Sequence, residues 1–174
     1  GNPDGGRRNF GAISVINGAI GIGNLDSFSA RTEQGHVTVA IRGVGRVQIQ
    51  LDRVVFAING DVFCPSFPFE RIQNIVQQLR VDHPTSLAYL FLVQNPDHNP
   101  QGDFQLEGSL VKDKDVKGSS LTFSGAGIYH QDLFKSIKIG EIAKLAPILR
   151  QAMSENRVLG EALSVPWVDV GTPE

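Results

Sequence analysis

Cysteine is nearly absent: among 174 residues there is one, Cys64. A single thiol excludes an internal disulfide and any zinc centre built on several cysteines. Long hydrophobic runs are missing as well, and no apolar stretch approaches the ~18 residues that a membrane helix needs. Neither sign of charge dominates: 16 Lys and Arg stand against 18 Asp and Glu, a formal net charge of −2. Without a basic surplus, gripping a nucleic-acid backbone is not the main task. His36, His83, His98 and His130 never fall at helical i, i+4 spacing, so a helical zinc pair has no support. Glycines cluster at 18–23 and 43–45 but complete neither a G-x-G-x-x-G nor a Walker A pattern, and no G-x-S-x-G elbow occurs. No secretory signal is visible in a chain that starts at Gly1, and the expected compartment is the cytoplasm.

One shortage is local. All six lysines lie beyond Val111, whereas residues 1–54 hold six arginines and ten of the 19 glycines. The first third is thus different in kind. AISVI (12–16) reads as a short strand, the glycine-rich 17–27 as floppy or tightly turned, and 36–51 as a β-hairpin around 42–45. With 41% hydrophobic residues the chain can still bury a core as one domain.

From Arg53 onward the pattern is orderly. VVFAI (54–58) is a continuous apolar run, expected of a parallel strand covered on both faces. Phe69, Ile72, Ile75, Val76 and Leu79 form one stripe of a helix that His83-Pro84 stops. LAYLFLV (87–93) reads as a second buried strand. FQLEGSLV (104–111) reads as a hairpin turning at Glu107-Gly108, and LTFSGAGIY (121–129) as a third core strand. QDLFKSI is a short helix, Leu145 to Asn156 a longer one with Pro147 in its first turn, and 165–174 a strand and turn. Alternating strands and helices give an α/β organisation.

Several residues could carry chemistry. Asp61 follows a buried strand and a glycine, where a carboxylate faces the crevice in which open α/β sheets bind ligands. It could hold Mg²⁺ against a phosphate, although Asn59-Gly60-Asp61 is also ordinary turn chemistry. Asp169, flanked by valines at the end of a short strand, could complete a metal site with Asp61 or could simply be exposed. Asn95, Gly102 and Asp103 could form a substrate loop, with Asp103 accepting sugar hydroxyls, or a plain polar connection. Ser124 and Gly125 interrupt a strand, which permits close approach of a ligand or marks a bulge. Cys64 has no readable His partner and is expected to be a packed apolar residue.

Taken together, FAINGDVF (56–63), LFLVQNPDHNPQGDFQL (90–106), LTFSG (121–125), KLAPILRQAM (144–153) and WVDVGTPE (167–174) resemble the sugar-1-phosphate nucleotidyltransferase family. Within it they come nearest to the bacterial uridylyltransferases of N-acetylmuramate 1-phosphate. The resemblance covers about residues 56–174. It implies a Rossmann-like (GT-A-like) three-layer α/β sandwich with a mixed, mostly parallel sheet, here incomplete. It implies transfer of a uridylyl group from UTP to the sugar 1-phosphate with Mg²⁺, in recycling of peptidoglycan sugars. By position, Asp61 and Asp169 match the metal-binding aspartates, Gly102 and Asp103 the sugar-contacting segment, and Ser124 and Gly125 the strand beside the sugar.

The family's opening Leu-Ala-Ala-Gly-x-Gly-x-Arg-Met loop and its Pro-Lys-Pro segment do not occur in residues 1–55. No nucleotide-binding residue is therefore assigned. Residues 1–54 are expected to be either an out-of-frame or misassigned start, or a diverged one. A non-catalytic sugar-phosphate-binding module and a mannose 1-phosphate guanylyltransferase stay open as alternatives. Loss of a central first strand would expose the edges of VVFAI and LAYLFLV.

Overall fold

The computed structural model describes residues 12–16, 19–23, 29–33, 36–41, 44–49, 53–59, 62–114, 119–138 and 142–169. In the first third, strands β1 (Ala12–Ile16) and β2 (Ala19–Gly23) pair antiparallel. β3 (Ser29–Glu33), β4 (His36–Ile41) and β5 (Val44–Ile49) form a separate antiparallel sheet. The expected strand at 12–16 and the hairpin at 36–49 are present. Residues 19–23, expected to be turned or floppy, are instead extended against β1.

The main sheet has six strands: β6 (Val54–Ile58), β8 (Ala88–Val93), β9 (Phe104–Glu107), β10 (Leu110–Asp113), β11 (Thr122–His130) and β13 (Val158–Ala162). Across the sheet they lie in the order β6-β11-β8-β13-β10-β9. Two short strands outside it, β7 (Val62–Phe63) and β14 (Val168–Asp169), pair with each other. A further short strand, β12 (Ile142–Lys144), pairs with β1. The sheet is mixed. Its parallel pairing is β8 with β13, and the other four neighbouring pairs are antiparallel. An apolar run reports how many faces are covered, not strand direction. VVFAI is indeed buried throughout, yet β6 runs antiparallel to β11 and is outermost in the order. β8 lies inside the sheet, so of the two edges expected to be bare only that of β6 lacks a pairing among the described residues.

Two helices cover opposite faces, making three layers. On one face α1 (Ile72–Asp82) buries Ile72, Ile75 and Val76 against Phe56, Phe91 and Ile128. A single 3₁₀ turn, Phe69–Arg71, leads into it. On the other, α2 (Leu145–Ser154) buries Leu145, Leu149, Ala152 and Met153 against Leu90, Leu92, Phe104 and Val158. Leu149 at i+4 and Ala152 and Met153 at i+7 and i+8 from Leu145 make the apolar stripe of an amphipathic helix. The helix ends in a Schellman motif: Asn156 takes φ +56°, its N–H reaches Met153 O at 3.0 Å, and Arg157 N–H reaches Ala152 O at 3.0 Å.

That reversal delivers the chain into β13, a strand the sequence pattern did not reveal. VLGEA is short and interrupted by Gly160, where an added Cβ would stand 2.4 Å from Leu90 O. Glycine is needed because the neighbouring backbone passes there. β6, β8 and β13 run in one direction and β11 in the other. The carboxyl ends of the first three therefore share an edge with the start of β11.

Candidate functional site

At that shared edge β11 is broken by a bulge. Phe123 pairs with Leu92 and Gly127 with Leu90, so Ser124, Gly125 and Ala126 together face one residue of β8. Gly125 sits at φ +83°, and a Cβ there would lie 2.9 Å from Val62 Cγ2 and 3.0 Å from Asn59 Nδ2. Asn59 N–H donates to Gly125 O at 2.9 Å. Ser124 is buried, and its Oγ accepts the Ala126 N–H at 3.2 Å. Of the two expectations for these residues, the bulge is the geometry found. It also brings the backbone against the residues that flank Gly60-Asp61.

The 95–103 segment is tied to the start of β11 by a side-chain network. Asn95 Nδ2 donates to Pro100 O at 3.2 Å and Ser120 O at 3.0 Å, while its Oδ1 accepts from Thr122 Oγ1 at 3.0 Å. Asn99 Nδ2 donates to Thr122 Oγ1 at 3.1 Å and Asp103 Oδ1 at 3.2 Å. Asp103 Oδ2 accepts the Phe123 N–H at 2.9 Å. Asp103 is only 7% exposed, so its carboxylate faces the interior and holds the loop to β11. Gly102, at φ +58°, passes so close that a Cβ would meet Asn95 Oδ1 at 2.7 Å and Leu121 O at 2.9 Å. Asn59, Asn99 and Thr122 were not singled out from sequence. Asn59 was read only as part of the Asn59-Gly60-Asp61 turn, and the other two are connected only by folding.

Asp169 is placed by β14, whose register sets Val168 opposite Phe63 and Asp169 opposite Val62. Trp167, just before it, donates its indole N–H to Ser124 O at 2.9 Å. Asp61 lies outside the described residues. Val62, its neighbour in sequence, is the residue that pairs with Asp169 and packs on Gly125. A carboxylate such as that of Asp169 is a ligand type that suits Mg²⁺, which takes few protein ligands and keeps water and phosphate oxygens. Among the described residues no group of three or more His, Cys, Asp or Glu comes together.

Burial, reinforced by the nearby Glu161 carboxylate, pushes Tyr89 up to about 12. Full burial also raises Tyr129. Burial lowers His130 despite the opposing pull of Asp132. It raises Cys64, making a reactive thiolate unfavourable. A cavity of about 160 Å³, lined by Val54, Leu79, Leu87, Ile128, His83 and His130, sits at the opposite edge of the sheet.

No family model matches the chain. A sequence relative does: over 86 residues, 49% of this chain, it is 51% identical to the N-acetylmuramate alpha-1-phosphate uridylyltransferase of Neisseria meningitidis serogroup B (strain ATCC BAA-335 / MC58). The match spans 37% of that protein. Among solved structures, a glucose-1-phosphate thymidylyltransferase of Bacillus anthracis in complex with sucrose aligns with TM-score 0.51 and 19% identity, over 69% of this chain and 50% of that one. The inositol-1-phosphate CTP transferase from T. maritima aligns with TM-score 0.43 and 14% identity, over 68% and 50%. The chain therefore spans about half the length of these structures or less than half of its sequence relative. No helix among the described residues is long and apolar enough to cross a membrane. In sequence over 49% of its length, and in fold over 69%, the chain resembles the sugar-1-phosphate nucleotidyltransferases.

Proposed function

We propose that the chain is the metal and sugar-phosphate portion of a sugar-1-phosphate nucleotidyltransferase that makes UDP-N-acetylmuramate from UTP and N-acetylmuramate 1-phosphate, in a cytoplasmic recycling of cell-wall sugars. The observation that carries this reading is the 51% identity to the Neisseria uridylyltransferase. The convergence of the Ser124–Gly125 bulge, the 95–103 loop and β14 on one sheet edge supports it. A phosphate oxygen of the sugar 1-phosphate attacks the α-phosphorus of UTP in line, and pyrophosphate leaves. Asp61 and Asp169 would hold Mg²⁺, which when bound neutralises phosphate oxygens as charge shifts to the leaving group. Asp103 and Asn99 brace the 95–103 loop. The bulge brings backbone rather than side chain towards the acceptor, and most of the rate gain comes from such positioning.

Pyrophosphate release is measured from UTP and the sugar phosphate with Mg²⁺, for the 174-residue chain and Asp61→Ala. Release that needs the sugar phosphate and is lost in Asp61→Ala is expected of the enzyme. Release that survives Asp61→Ala removes the metal role. Exchanging the pair for GTP and mannose 1-phosphate tests the guanylyltransferase alternative. A second reading, a sugar-phosphate-binding module without turnover, is favoured by the absence of a phosphate-cradling glycine loop from residues 1–55. Calorimetry separates the two, because tight UTP binding argues against the module.

A further inference from the structure

We propose that the cavity at the end of α1 is a binding site for a small anion carrying an apolar body about the size of a benzene ring. It is independent of the nucleotidyltransferase reading, because no residue of the 95–103 loop, the β11 bulge or β14 lines this cavity.

The opening follows from where α1 stops. His83-Pro84 ends the helix at Asp82. A turn closed by the Ser86 N–H on His83 O at 2.9 Å then carries the chain straight into β8. The register sets Val54 of β6 beside His130 of β11, and Ala88 of β8 beside Tyr129. Over these strand ends about 160 Å³ stays open. The floor is apolar: Val54, Leu87, Ala88 and Ile128 line it, and each is at most 8% exposed. An apolar cavity of about 150 Å³ is large enough to take up benzene, so one ring fits on this floor.

The rim decides the sign of the ligand. Arg80 and His83 are exposed and His130 is half-buried, and all three line the cavity. No acidic side chain lines it. His130 Nδ1 accepts the Asp132 N–H at 3.2 Å, which leaves Nε2 as the N–H donor of the neutral ring. Burial favours that neutral ring most, Asp132 opposes it, and the guanidinium groups of Arg53, Arg157 and Arg80 reinforce it. Three cations thus bear on this imidazole against one carboxylate, although Arg157 also pairs with Glu155 at 3.5 Å. A cationic head group would meet like charge at this rim, whereas an anionic one meets Arg80 and imidazole N–H donors. The floor has no polar side chain to offer the rest of the ligand, which must therefore be apolar.

The test is titration of the full chain with benzoate, followed by the histidine ring resonances in proton NMR. Benzyl alcohol, with the same ring and no charge, is the control. Saturable shifts of His83 and His130 are expected, with benzyl alcohol binding about threefold more weakly, the scale of an exposed charge contact. Arg80→Gln should weaken benzoate by about the same threefold and leave benzyl alcohol unchanged. Ser86→Phe, which places a ring in the cavity, should abolish both. Benzoate that shifts neither histidine overturns the proposal. Equal affinity for the two compounds also overturns it, because the anion preference is then absent. Binding untouched by Ser86→Phe overturns it too, since the compound then sits elsewhere. Should Ser86→Phe lose its cooperative melt, the wild-type chain still decides: nuclear Overhauser contacts between the benzoate ring and the Ile128 methyl groups support the proposal, and their absence at saturation overturns it.

Discussion

Replacing Asp103 by alanine should destabilise the fold rather than merely weaken sugar binding. The carboxylate accepts the Phe123 N–H at 2.9 Å and the Asn99 amide at 3.2 Å. Asn99 is partly exposed and keeps Thr122 as an acceptor, so its loss is small. Phe123 is 4% exposed, and a buried N–H left without an acceptor costs about 1–3 kcal/mol. Losing the charge-assisted bonds as well brings the total to about 3 kcal/mol, or about 6–12 °C in melting temperature for a chain of this size. Asp103→Asn keeps a carbonyl for Phe123, but its amide meets the amide of Asn99. One of the two must rotate, and the cost should be about 1 kcal/mol. Thermal melts followed by circular dichroism give the ranking, and hydrogen exchange at Phe123 gives the mechanism. An alanine variant melting within about 2 °C of wild type, with the Phe123 amide still protected, would show that Asp103 does not pin the loop.

Gly125→Ala should cost about 1–3 kcal/mol, because φ +83° disfavours a side chain and the new Cβ would press on Val62 and Asn59; a chemical-denaturation midpoint equal to wild type would contradict the bulge. Both tyrosines should stay protonated in the folded chain well above pH 10, Tyr89 ionising near 12. Their raised folded values add stability that is complete below pH ~10, the unfolded value, and is lost as pH rises from there through the folded values. Tyrosinate absorbance appearing at pH ~10 before unfolding would refute this. His130, lowered by burial, should titrate by proton NMR below its ordinary ~6.5, so its contribution to stability is present above that pH and is lost as pH falls through the folded value. A midpoint at or above the ordinary value would count against the buried placement.

The helices, the three core strands and the hairpin at 104–111 were legible in the chain because their signals are local. The stripe of Ile72, Ile75 and Val76, the stop at His83-Pro84, Pro147 in the first turn of α2 and the unbroken LAYLFLV each sit within one element. β13 was not legible, since VLGEA carries a glycine and a glutamate in five residues. What makes it a strand is β8 on one side and the hairpin on the other. The antiparallel course of β6 was equally hidden.

The candidate site divides in the same way. The residue types at 95, 102, 103, 124, 125 and 169 stood out because small, acidic and amide residues beside apolar strands mark turns and ligand contacts. The sequence alone determined that these segments exist, that a core of two covered faces forms, and that the motifs resemble one family of transferases. Only the tertiary structure turned Asp103 inward to Phe123, set Asn99 between Asp103 and Thr122, and joined Trp167 to Ser124 across 43 residues. Hydrophobic periodicity is written along the chain, whereas a hydrogen bond between distant segments depends on strand order and register, which no single segment contains.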